Sequence, residues 1–154
     1  MLEMITEVVL AFIATLTFSI LFNVSKKELI LCGMTGMIGW LIYMLVTKND
    51  YGVALGSFFG AAAITWASRV LANIRKTPVT VFLIPGIIPL VPGAGIYYTM
   101  LKLISDENAA AFIQGLEAVK VSASISVGVI LMLALPRWIF TFGNRNYFDK
   151  GKIS

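Results

Sequence analysis

Histidine is absent from the sequence, and Cys32 is its one cysteine. That inventory excludes a zinc site, a disulfide framework and any His-based catalytic triad, and leaves Cys32 as a small apolar core residue. Charge is scarce too. Only 13% of residues are Asp, Glu, Lys or Arg, about half the share of an ordinary soluble domain. No GxxxxGK[ST] occurs, so nucleotide hydrolysis by the P-loop route is excluded. A removable leader is not expected either. Glu3 and Glu7 stand where a secretory signal needs basic residues, and the apolar run behind them reads as a retained span.

What remains is apolar: 58% of the 154 residues are hydrophobic, with a mean hydropathy of +0.89. A chain of this size has too little interior to hide that surface from water, so its solvent is the lipid bilayer. The net charge of +4 does not point to nucleic acid. Basic residues sit singly or in pairs at the ends of apolar runs, as a membrane interface places them.

Cut at its charges, the chain yields five apolar blocks: Val8–Ser25, Leu29–Thr47, Tyr51–Ser68, Thr77–Leu101 and Val121–Pro136. A helix needs about 20 residues to cross a hydrocarbon core of about 30 Å. The expected fold is therefore an all-α, polytopic transmembrane helix bundle with its fourth segment broken by Pro and Gly. One transmembrane domain is expected over 1–143, with segments near 4–24, 29–47, 51–72, 77–104 and 108–140. A basic cytoplasmic tail follows over 144–154. With the N-terminus outside and five crossings, nine Lys and Arg fall on the cytoplasmic side and three outside. If the fourth block instead re-entered, the split would be seven against five. Positive-inside bias favours five crossings and a cytoplasmic C-terminus.

Gly52, Gly56 and Gly60 form a GxxxGxxxG ladder in the third block, and Gly33, Gly36 and Gly39 a related run in the second. Glycine faces let helix backbones approach closely in lipid. They serve either packing within the chain or a subunit interface, which leaves a homo-oligomer open.

The fourth block holds four of the five prolines, Pro78, Pro85, Pro89 and Pro92, together with Gly86, Gly93 and Gly95. Each internal proline costs a helix about 3 kcal/mol. The pattern predicts a short helix over 79–84, an unwound centre over 85–95 and a second short helix over 96–105. Irregular backbone in lipid survives only where protein covers it or water lines it. Discontinuous helices build substrate sites in transporters, because a half-helix N-terminus offers free N–H groups. Candidate path residues are thus Pro85, Gly86, Pro89, Pro92, Gly93 and Gly95, with the hydroxyls of Tyr97, Tyr98 and Thr99. The other reading is a plain kink or loop.

Arg69, Arg75 and Lys76 make a basic cluster ahead of that segment, either attracting an anionic substrate or fixing topology at lipid phosphates. Asp106-Glu107 reads as a helix start capped by Ser105. Glu117 and Lys120 stand at i,i+3 near the outer interface, an expected surface pair. Ser122 and Ser126 share a face, as a polar path or as packing residues. No acidic metal-binding cluster or nucleophile–base pair is present to support an intramembrane enzyme. No catalytic residue, metal or cofactor is expected.

Phe22-Asn23-Val24 with Lys27-Glu28-Leu29, the run from Cys32 to Trp40, and above all Pro85-Gly86-Ile87-Ile88-Pro89-Leu90-Val91-Pro92-Gly93 with Tyr97 resemble the threonine/serine exporter (ThrE) family. More narrowly they resemble its short-subunit, YjjB-like branch, from about Val8 to about Leu135. Ser25 departs from the proline expected after Phe-Asn-Val. The resemblance implies a small subunit of a bacterial inner-membrane exporter of small hydrophilic metabolites: threonine- and serine-type amino acids, or dicarboxylates such as succinate. It also implies a larger, YjjP-like membrane subunit as partner. The alternative is a non-transporting chain that stabilises or assembles a larger exporter.

Overall fold

The computed structural model describes residues 2–136, and every regular element among them is helical. The expected tail over 144–154 and the far end of the fifth segment lie outside the described residues, with Arg137, Arg145, Lys150 and Lys152. The helices are α1 (Leu2–Leu21), α2 (Leu29–Lys48), α3 (Val53–Arg75), α4 (Thr80–Ile87), α5 (Gly93–Ile104) and α6 (Asn108–Ala134). A 3-10 turn, Ile88–Leu90, links α4 to the break before α5. α1, α2, α3 and α6 are long and apolar enough to cross a membrane. The pair α4–α5, bent by 46°, makes a fifth if it counts as one span.

Polar residues end the helices where the apolar runs stop. α2 closes at Lys48, and Gly52, with φ of +83°, supplies the turn before α3. Lys76 ends α3 in the left-handed conformation, its N–H bonded to the Ala72 carbonyl. The acidic pair does not open α6 as expected. Ser105 instead closes α5, Asp106 turns through a φ of +62°, and Glu107 precedes a helix beginning at Asn108. The physical reason is that this tight turn needs a residue tolerating positive φ, and Asp provides one.

α3 is the central helix, packed on α2, α4 and α6, while α1 packs on α2. The glycines set these distances. A methyl on Gly36 would collide with Thr15 of α1, and one on Gly39 with Ile64 of α3. One on Gly60 would meet the Gly39 carbonyl at 3.0 Å. Gly56 backs onto Thr47 and Tyr43, and Gly33 lies 2.6 Å from the Phe12 ring by the same measure. Gly52 has nothing within 4 Å and serves the turn. Around this seam Ala61, Ile64, Leu83, Leu90, Val121 and Ile125 form the main buried cluster.

Arg69 fixes the direction of α6. Its guanidinium donates to the carbonyls of Met132, Leu133 and Leu135, at 3.3 Å for Leu133 and 2.8 Å for Leu135. These are the acceptors a helix C-terminus leaves open. A methyl on Gly128 would meet the Phe58 carbonyl at 2.6 Å and the Ala62 nitrogen at 3.4 Å. Earlier residues of α3 thus meet earlier residues of α6, and the two helices run parallel. Since α3 and α6 point the same way, the α4–α5 pair between them carries the chain from one end of the bundle to the other.

Candidate functional site: the broken segment and the α5–α6 cavity

The broken segment is more helical than its composition predicts. Pro85 lies inside α4, and only Val91 and Pro92 fall between the 3-10 turn and α5. The reason is a replacement donor. Pro85 cannot give the Val81 carbonyl its helical N–H, and the Cys32 thiol of α2 donates to that carbonyl at 3.4 Å. Beside it, Thr35 donates its hydroxyl to the Cys32 carbonyl at 2.7 Å, with the Phe82 carbonyl 3.3 Å away. Gly86 permits the approach, because a methyl there would lie 2.9 Å from both Ile64 and Thr35. Pro85 and Gly86 are buried and Pro89 is half-buried. α4 is therefore clamped between α2 and α3.

Beyond the break the surroundings change. α5 has no buried residue and packs along α6. Gly95 lies opposite Ala118, and Thr99 lies 3.2 Å from where a methyl on Gly115 would stand. Lys102 reaches Gln114 at 3.4 Å. Gly93 is exposed with open space around it, and Tyr97 and Tyr98 stack edge to face with centroids 5.4 Å apart. The structure thus parts the candidate path residues into two groups. Pro85, Gly86 and Pro89 belong to the bundle interior, whereas Pro92, Gly93, Gly95, Tyr97, Tyr98 and Thr99 belong to the α5–α6 side.

A cavity of about 350 Å³ lies on that side, lined by Ile96, Thr99 and Met100 of α5 and by Gly115, Ala118, Val119, Ser122, Ala123 and Ser126 of α6. Of the path candidates, only Thr99 lines it. Ser122 and Ser126 join it, as the shared face of α6 suggests. All three hydroxyls donate to a carbonyl one turn back in their own helix: Thr99 to Gly95 at 2.7 Å, and Ser122 to Ala118 and Ser126 to Ser122, both at 2.9 Å. Their lone pairs remain for a guest that brings donors. Ile96, Met100 and Val119 supply an apolar wall.

The basic cluster is divided. Arg69 is occupied at the end of α6, and Arg75 grips Glu28 with Nε at 3.0 Å from both carboxylate oxygens and Nη2 at 2.7 Å from Oε1. Glu28 is a buried acid just ahead of α2. This pair ties the α1–α2 turn to the end of α3, and the reading of the cluster as a free anion attractor loses two of its three charges to structural work. In the sequence Glu28 stands out only within Lys27-Glu28-Leu29. Its value lay in a partner 47 residues away, which no local spacing reveals. Among the described residues no group of three or more Cys, Asp or Glu side chains is placed to hold a metal ion.

Residues 7–135 match the family described as "Threonine/Serine exporter, ThrE". The chain belongs to the threonine/serine exporter family. A threonine/serine exporter of Corynebacterium glutamicum is 27% identical to it over 105 residues, 68% of this chain and 21% of the relative. A Haemophilus influenzae protein of uncharacterised function is 24% identical over 144 residues, 91% of this chain and 48% of the relative. This ThrE-family chain thus spans about half the length of one curated relative and about a fifth of the other. No solved structure matches it.

Proposed function

We propose that this ThrE-family chain is a small membrane subunit of a bacterial exporter of small hydrophilic metabolites, acting with a larger membrane subunit. Threonine- and serine-type amino acids or dicarboxylates such as succinate are the substrates. The observation that carries the proposal is the α5–α6 cavity, lined by the hydroxyl-bearing residues Thr99, Ser122 and Ser126 in a chain of an exporter family. At about 350 Å³ it falls within the range of small-molecule sites. It is open on one side, as a path shared with a second subunit requires. The membrane is the inner membrane, with the N-terminus outside and the C-terminus cytoplasmic, in keeping with the nine-to-three distribution of Lys and Arg.

The exposed surface of α5 favours a second reading, in which the chain only assembles or stabilises a larger transporter. Reconstitution of each subunit alone and of both together, with efflux of threonine and succinate measured, separates the two. The exporter reading expects efflux that needs both subunits and falls when Thr99→Val and Ser122→Leu are combined. Efflux from the larger subunit alone, at the rate of the pair, overturns it.

A further inference from the structure

We infer that α5 is a pivoting gate on the α5–α6 cavity, its N-terminal end swinging from α6 about the Val91–Pro92 junction while the turn at Asp106 holds its other end. The inference rests on the export path proposed above and adds the element that opens and closes it.

The two halves of the broken segment are held differently. α4 and the 3-10 turn after it bury Phe82, Leu83, Pro85, Gly86 and Leu90 in the bundle, and the Cys32 thiol bonds to the Val81 carbonyl. That half is fixed. Across the break α5 buries no residue, and among the described residues α6 is the only helix with an extended contact to it. A clamped helix therefore meets one supported along a single side.

The junction between them can turn. The hydrogen-bond ladder of α4 and its 3-10 turn ends with the Val91 N–H on the Ile88 carbonyl, and that of α5 begins with the Ile96 N–H on the Pro92 carbonyl, both at 3.1 Å. Among the described residues only the Gly93 N–H, 2.7 Å from the Val91 carbonyl, spans the gap. Pro92, with φ of −75° and ψ of 56°, is thus the centre of an inverse γ-turn. Its ring fixes φ, which leaves ψ as the turning torsion. The surroundings give room, since Val91 is exposed and a methyl on Gly93 would meet nothing within 4 Å. A change in that torsion redirects α5 and breaks only the γ-turn bond. Lids elsewhere turn in this way, on a few junction residues that absorb the backbone change.

The hold of α6 on α5 is graded along its length. At the far end the Glu107 N–H closes on the Lys102 carbonyl at 2.9 Å, Asp106 turns through a φ of +62°, and Lys102 reaches Gln114 at 3.4 Å. At the near end the contact is between small residues, with a methyl on Gly95 3.5 Å from that of Ala118. The hydroxyls of Thr99, Ser122 and Ser126 all bond within their own helices, so none of them ties α5 to α6. Swinging the near end therefore opens the cavity while the far end stays tied.

The test locks the near end. Gly95→Cys combined with Ala118→Cys sets the two Cβ atoms 3.5 Å apart, within the roughly 3.5–4.5 Å that a disulfide spans. The double variant is reconstituted with the larger subunit, and efflux of labelled threonine and succinate is measured after oxidation by copper phenanthroline and again after dithiothreitol. The expected result is that the disulfide lowers efflux about tenfold or more and that reduction restores it. Undiminished efflux with the disulfide fully formed overturns the gate and leaves the cavity as a fixed path. A second readout needs no transport: the distance between spin labels on Tyr97→Cys and Val127→Cys, both exposed positions, in lipid bilayers. Two distance populations are expected, and a single narrow one overturns the gate. If neither the native nor the variant pair exports, the export reading fails, and the spin-label distances alone decide the gate.

Discussion

The Cys32 thiol donates to the Val81 carbonyl, the acceptor that Pro85 leaves without a helical N–H. This contact across 49 residues explains why a segment rich in helix breakers keeps its helix through Pro85 and opens only at Val91–Pro92. Cys32→Ala removes the donor and costs about 1 kcal/mol, the net value of a hydrogen bond. Cys32→Ser keeps a donor and costs less. Thermal unfolding of the purified protein in detergent ranks the two, and an equal Tm for both would mean that the thiol does not support the helix at Pro85.

The glycines of the seam respond by position. Gly36→Ala drives a methyl into Thr15 and destabilises by about 1–3 kcal/mol, the usual effect of overpacking. Gly93→Ala meets open space at the start of α5 and is neutral or stabilising by up to about 1 kcal/mol. The Tm difference between these two variants reads the packing directly.

Arg75→Ala strips a buried carboxylate of its bidentate partner and leaves Glu28 uncompensated. Its Tm falls further than that of Lys120→Ala, whose exposed pair contributes little. Arg75→Lys keeps a charge but loses the fork and falls in between. A Lys120→Ala effect equal to that of Arg75→Ala would contradict the structural role given to Glu28.

Arg69→Ala releases the carbonyls of Met132, Leu133 and Leu135. Hydrogen bonds to a charged group contribute about 1.5–3 kcal/mol, so the end of α6 frays while the α2–α3 seam holds. Hydrogen exchange localised to residues 128–136 is the readout. Faster exchange spread evenly over α2 and α3 would refute a local clamp.

Much of this was legible in the sequence. Uncharged runs of helical length define the spans, since lipid leaves the backbone no partner but itself. Glycine spacing marks the faces where helices meet. An unwound centre over 85–95 is what proline imposes on an isolated helix, whereas here Cys32 and Thr35 of a neighbouring helix reach the carbonyls of Val81 and Phe82. The basic cluster reads differently in sequence for the same reason: Arg69 and Arg75 find partners 63 to 66 and 47 residues away. Ser122 and Ser126 were visible as one face of a helix. That Thr99 faces them depended on how α5 lies on α6, which spacing alone does not encode.

The central claim is that the α5–α6 cavity is part of an export path. Its most direct measurement is efflux of labelled threonine and succinate from proteoliposomes holding both subunits, with Ser122→Phe filling the cavity and Gly93→Ala as the control. With subunit assembly intact in both, the account predicts that Ser122→Phe lowers efflux about tenfold or more, equivalent to roughly 1.4 kcal/mol, while Gly93→Ala leaves it unchanged. Unaltered efflux with Ser122→Phe would contradict it.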